Sequence, residues 1–136
     1  GIAVRDLAAA IAFYQGALGL GAPKVEEVPE QQVRVAVLQA GETRIELLQS
    51  TSAEGPVGRF LAKRGEGVHH IAFAVDDIER ALADLRRAGA ELIDERPRIG
   101  AGGRRIAFIN PRSAHGVLVE LSERSSRPGD IADEEG

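Results

Sequence analysis

The sequence predicts an α+β fold of two repeated β-α-β-β-β modules forming an open, incomplete barrel, and three observations carry that prediction. Gly1-Ile2-Ala3-Val4-Arg5-Asp6-Leu7 matches Ala72-Phe73-Ala74-Val75-Asp76-Asp77-Ile78 at an offset of 71, each a short apolar strand ending at an aspartate. A helical period follows both segments, with Leu7, Ile11, Tyr14 and Leu18 in the first and Ile78, Ala81, Leu82 and Leu85 in the second. Alternating stretches then recur in parallel. Val35-Ala36-Val37-Leu38 matches Ile106-Ala107-Phe108-Ile109 at the same offset, and Arg44-Ile45-Glu46-Leu47 matches Leu118-Val119-Glu120-Leu121 at 74.

Each element has a local reason. Gly16, Gly19 and Gly21 surround the end of the first helix, where glycine accepts the left-handed backbone that closes a helix. Asp76 with Glu79 predicts a capping-box start for the second helix, and Gly89 predicts its stop. Ser52 to Gly67 reads as a linker containing Gly55-Pro56 and a short helical pattern, Val57, Phe60, Leu61 and Arg64. The three residues by which the offset grows lie in the turn Asn110 to Gly116. The predicted organisation is one domain over 1–124, with module one at 1–51, the linker at 52–67 and module two at 68–124. A polar tail, 125–136, is expected to be solvated and frayed.

At 136 residues, 43% hydrophobic and 28% charged, with a net charge of −4, the chain can bury one core and lacks the basic field of a nucleic-acid binder. Cysteine is absent, which excludes a disulfide scaffold, a thiol nucleophile and a thiolate zinc site, and accords with a reducing cytoplasm. No apolar run is long enough to span a bilayer and no leader is evident, so a soluble, cytoplasmic protein without membrane or nucleic-acid partners is expected.

Two polar residues interrupt the apolar last strands at equivalent positions, Glu46 and Glu120, where an uncompensated carboxylate would be costly. His70 heads the first strand of module two, and the offset of 71 puts its counterpart at position −1, where a histidine is expected. Two imidazoles and two carboxylates would suit a divalent cation of intermediate hardness with open positions for water or substrate. Taken singly, Glu46 could pair with an arginine and His69 or His70 could be a hydrogen-bonded core histidine. Gly100-Ala101-Gly102-Gly103 followed by Arg104 and Arg105 permits close backbone approach to an anion, while a glycine-rich turn is the plainer reading.

Residues 1 to 123 resemble the vicinal-oxygen-chelate superfamily and, within it, the methylmalonyl-CoA epimerases. The resemblance rests on Pro29-Glu30-Gln31-Gln32-Val33, Ile45-Glu46-Leu47-Leu48, Gly65-Glu66-Gly67-Val68-His69-His70-Ile71-Ala72, Pro97-Arg98-Ile99-Gly100-Ala101-Gly102-Gly103, Asn110-Pro111-Arg112-Ser113 and Gly116-Val117-Leu118-Val119-Glu120-Leu121. It implies a divalent metal, cobalt foremost, on Glu46, His70 and Glu120, and a coenzyme A thioester substrate contacted by Gln31, Gly102, Gly103, Arg104 and Ser113. It also implies a first ligand just before Gly1, and a glutamate base at the position held here by Val35. Glu120 is the candidate for one proton-transfer role, and Glu30 for the other. Exposed sheet edges and the resemblance together lead to the expectation of a homodimer. The rival readings are a glyoxalase I type isomerase and a metal-free small-molecule binding protein of the same fold.

Overall fold

The computed structural model describes residues 1–124, so the expected tail lies outside the described residues. The chain divides into two compact units, Gly1–His69 and His70 onward. In the first, β1 (Ile2–Ala3), β2 (Lys24–Val28), β3 (Val33–Ala40), β4 (Thr43–Ser50) and β5 (Gly67–Val68) form a mixed sheet in the order β2-β3-β4-β1-β5. In the second, β6 (Ile71–Val75), β7 (Arg98–Ile99), β8 (Arg105–Ile109) and β9 (Val119–Glu123) form a mixed sheet in the order β6-β9-β8-β7. This is the α+β architecture of two β-α-β-β-β-like modules, and each sheet is open at its edges rather than closed into a barrel.

The repeat is written into the strand registers. β1 runs parallel to β4 with Ile2 beside Leu47, and β6 runs parallel to β9 with Phe73 beside Leu121, the same pairing once the offsets of 71 and 74 are applied. Likewise Val37 opposes Glu46 and Phe108 opposes Glu120. A one-residue slip would send every side chain to the other face, so this agreement fixes which face each module presents.

Helix α1 (Leu7–Ile11) starts at Asp6, whose carboxylate accepts from the Ala9 amide at 3.1 Å. Helix α3 (Ile78–Arg87) starts at Asp77, whose carboxylate accepts from the Arg80 amide at 3.1 Å. Asp77 therefore replaces Asp76 as the predicted cap: Asp77 is extended and lies three residues before the amide it meets, while Asp76 faces Arg124 at 3.1 Å. In each module a side chain of the last strand holds the first helical amide. Gln49 accepts from Leu7 at 2.7 Å, and its repeat partner Glu123 accepts from Ile78 at 3.0 Å. The two helices end differently. After Ile11 the first continues as a π-helical turn, Ala12–Ala17, before left-handed Gly19, so it uses one residue more than α3 needs to reach Gly89.

Apolar faces close each core. Val4, Leu7, Ala36, Leu38 and Leu47 are buried together in the first unit, and Ile78, Leu82, Ala107, Ile109 and Leu121 in the second. The linker forms α2 (Pro56–Arg64), opened by a proline in its first turn and closed at Gly65, and it inserts Val57 and Leu61 into buried positions. Gly58 of this helix sits so close to the loop that an added Cβ would lie 2.3 Å from the Ser52 carbonyl oxygen. Gly58→Ala is therefore expected to lower stability by about 1–3 kcal/mol in a denaturant titration, despite alanine's better helix propensity.

Candidate active site

The strand alternation that fills the cores turns a second set of side chains the opposite way. On β9, Val119 and Leu121 pack toward α3 and Glu123 reaches that helix's first amide, so Glu120 between them faces away from α3. On β4, Ile45 and Leu47 pack toward α1, and Glu46 faces away from it. Both carboxylates thus occupy the same register on the same kind of face, as the repeat implied.

Within the second unit this face brings His70 and Glu120 together. His70 immediately precedes β6 and is 5% exposed; the Glu120 side chain is 13% exposed, and His70 Nε2 lies 3.5 Å from Glu120 Oε1. The Phe108 ring stands edge-on to the imidazole, with centroids 5.9 Å apart and planes at 88°, and fixes its apolar side. Two ligands sharing a cation at about 2.1 Å each would sit about 3.0–3.4 Å apart, and an imidazole nitrogen with a carboxylate oxygen suits a divalent ion of intermediate hardness. The pair fits as two ligands of such a site. Among the described residues no group of three or more His, Cys, Asp or Glu side chains gathers as a metal centre.

The other predicted residues lie on turns. Glu30 and Gln31 belong to a 3-10 turn, Pro29–Gln31, that links β2 to β3; Glu30 is exposed and Gln31 half-buried. Gly102 and Gly103 both adopt positive φ, 72° and 73°, in the turn before β8, and Arg104 follows in extended conformation. The turn has a packing constraint as well, since a Cβ on Gly100 would come within 2.6 Å of Ile106 Cδ1. The Ser113 hydroxyl accepts from the Glu91 amide at 2.8 Å, which ties the turn after β8 to the loop after α3.

Arg105 departs from the anion-binding role its sequence neighbourhood suggests. It points toward α3, where its guanidinium donates to both oxygens of Glu123, at 3.0 and 2.9 Å, and meets Glu79 at 3.5 Å. The hydrogen bond from Arg105, reinforced by the Ile78 amide and opposed by burial, holds the Glu123 carboxyl below its ordinary value, while Glu123 raises the Arg105 pKa.

Sequence reasoning passed over Glu26. It lies on β2 directly opposite Val35, the position at which the resemblance implies a glutamate. Val33, Val35 and Val37 alternate with the core residues Ala36 and Leu38, so Glu26 shares the face of Glu46. Only the strand pairing exposes this, because the two residues are nine apart in the chain.

A model of the Glyoxalase/Bleomycin resistance protein/Dioxygenase superfamily matches residues 1–108. The chain belongs to that superfamily. Proteins similar to it include the uncharacterized protein YqjC of Bacillus subtilis, 47% identical over 90% of this chain and 88% of that one. The mitochondrial methylmalonyl-CoA epimerase of Homo sapiens is 38% identical over 90% of this chain and 70% of that protein. Among solved structures, a methylmalonyl-CoA epimerase in complex with methylmalonyl-CoA and NH4+ is 40% identical, with a TM-score of 0.88 over 93% of this chain and 92% of that one.

Proposed function

We propose that the protein interconverts the C2 epimers of methylmalonyl-CoA. The observation that carries this reading is the pairing of buried His70 with partly buried Glu120, whose carboxylate recurs at the same register as Glu46. The 40% identity to a solved methylmalonyl-CoA epimerase supports the choice of substrate.

The C2 proton lies between a thioester and a carboxylate, so its removal leaves an enolate whose oxygen charge must be stabilised while it exists. Glu46, His70 and Glu120 would hold a divalent cation such as cobalt, which when bound supplies Lewis acidity to the thioester carbonyl and substrate carboxylate. A carboxylate has two oxygens, so Glu120 can face His70 through one and receive the C2 proton on the other. The C–H electron pair passes to the thioester oxygen. Return of a proton from the opposite side of C2 then inverts the centre. Glu30, on the turn between β2 and β3, is the group proposed for that second role. Gln31, Gly102, Gly103, Arg104 and Ser113 complete the proposed substrate contacts. The same reading makes the protein a cytoplasmic homodimer acting on a coenzyme A thioester. No helix among the described residues is long and apolar enough to cross a membrane.

The test is proton exchange in deuterated water. Deuterium should enter C2 of methylmalonyl-CoA without net consumption, and EDTA treatment should abolish the exchange until cobalt is restored. Absence of exchange, with conversion of the methylglyoxal–glutathione hemithioacetal, would replace this reading by a glyoxalase I type isomerase.

A further inference from the structure

The strand pairing, rather than the sequence, places Arg98 on the face of Glu120. It lies on β7 directly opposite Ile106, and Ile106 and Phe108 alternate with the core residues Ala107 and Ile109. Its guanidinium carbon sits 5.4 Å from the centroid of the Phe108 ring, the ring whose centroid is 5.9 Å from that of His70. The arginine also meets a carboxylate. Its Nε meets Asp94 Oδ1 at 3.4 Å, and the other Asp94 oxygen accepts from the Phe108 amide at 2.8 Å.

This mounting leaves one part of the group unused. Nη1 and Nη2 make no hydrogen bond among the described residues, and the side chain is 42% exposed, while Asp94 is 15% exposed. Arg105 differs sharply, because its fork is already filled by Glu123 and Glu79. A partly exposed guanidinium oriented by a ring and a carboxylate, with no hydrogen bond on its Nη groups among the described residues, can take an oxyanion through two parallel hydrogen bonds. We propose that Arg98 is the oxyanion-binding residue of this site, receiving a carboxylate or phosphate group of the ligand beside His70 and Glu120. The substrate reading above enters only in the choice of probes.

Isothermal titration with coenzyme A and with methylmalonyl-pantetheine separates the two sources, since the first carries phosphates and no malonyl carboxylate and the second the reverse. Arg98→Gln should weaken one of them about tenfold or more, the scale of a lost charge-assisted pair. Arg98→Lys, which keeps the charge without the fork, should fall between. Weakening of coenzyme A alone assigns the phosphate, and weakening of the pantetheine thioester alone assigns the carboxylate. Unchanged affinity for both in a variant with wild-type melting, or failure of the wild type to bind either, overturns the proposal. Arg98-dependent binding without C2 exchange would keep this assignment and remove the epimerase reading.

Discussion

Glu120→Gln is expected to lower kcat for methylmalonyl-CoA by about 100-fold or more, with a much smaller change in KM. The substitution keeps the volume of a side chain that is 13% exposed and 3.5 Å from His70, so the fold should survive. What it removes is the proton-accepting oxygen and the negative charge that a cation would share, and both matter most as C2 loses its proton. Metal content measured alongside the rates distinguishes the two losses. Glu46→Gln should be milder, because it removes a ligand charge without removing the proposed base. An unchanged kcat in Glu120→Gln with metal content intact would make Glu120 a structural residue.

The second large effect concerns stability and its dependence on pH. Glu123 joins three partners, the Ile78 amide, Arg105 and through it Glu79, and its carboxyl is held below the usual 4.5. A depressed carboxyl stabilises the folded state above its unfolded pKa, and that contribution disappears as pH falls through the folded value. Glu123→Gln should therefore cost about 1–3 kcal/mol at neutral pH, and its deficit against the wild type should shrink as the pH is lowered below about 4.5. Urea titrations at neutral and acidic pH give both numbers. A deficit that stays constant with pH would show that shape, not charge, is what Glu123 contributes. In the first unit the equivalent position is Gln49, a neutral acceptor at 2.7 Å from the Leu7 amide, and no such acid response should arise there.

Much of this was legible in the residues. The strands and helices follow from periodicity, and Glu46 and Glu120 are visible because acids interrupt apolar alternation. The pairing of Asp6 with Asp77 was also present in the offset of 71, although the local pattern of Asp76 with Glu79 pointed one residue early. What sequence could not supply depends on pairing across the sheet. Glu26 becomes interesting only opposite Val35, and Arg98 only when β7 lies beside β8 and brings Phe108 beneath it. Arg105 looked available beside a glycine-rich turn because its partners, Glu79 and Glu123, come from a helix and from another strand. Strand β5 has two residues, too few to show any alternation, so the boundary between the predicted linker and module two falls inside it, between Gly67 and Val68.

The π-helical turn of the first module bears on how such a duplicated chain can change length. An extra residue in a regular α-helix would rotate everything beyond it by about 100° and swing apolar side chains into water. Absorbed as a wider turn, the same residue leaves the phase intact: Tyr14 still packs on the first core, and the chain still reaches left-handed Gly19 as its counterpart reaches Gly89. An ungapped alignment of the two halves must therefore break inside this helix even though the strands on either side keep their partners. Insertions and deletions among relatives should gather at residues 12–17 and in the turns, and spare the sheet positions where a single-residue slip would carry Glu46 or Glu120 to the opposite face.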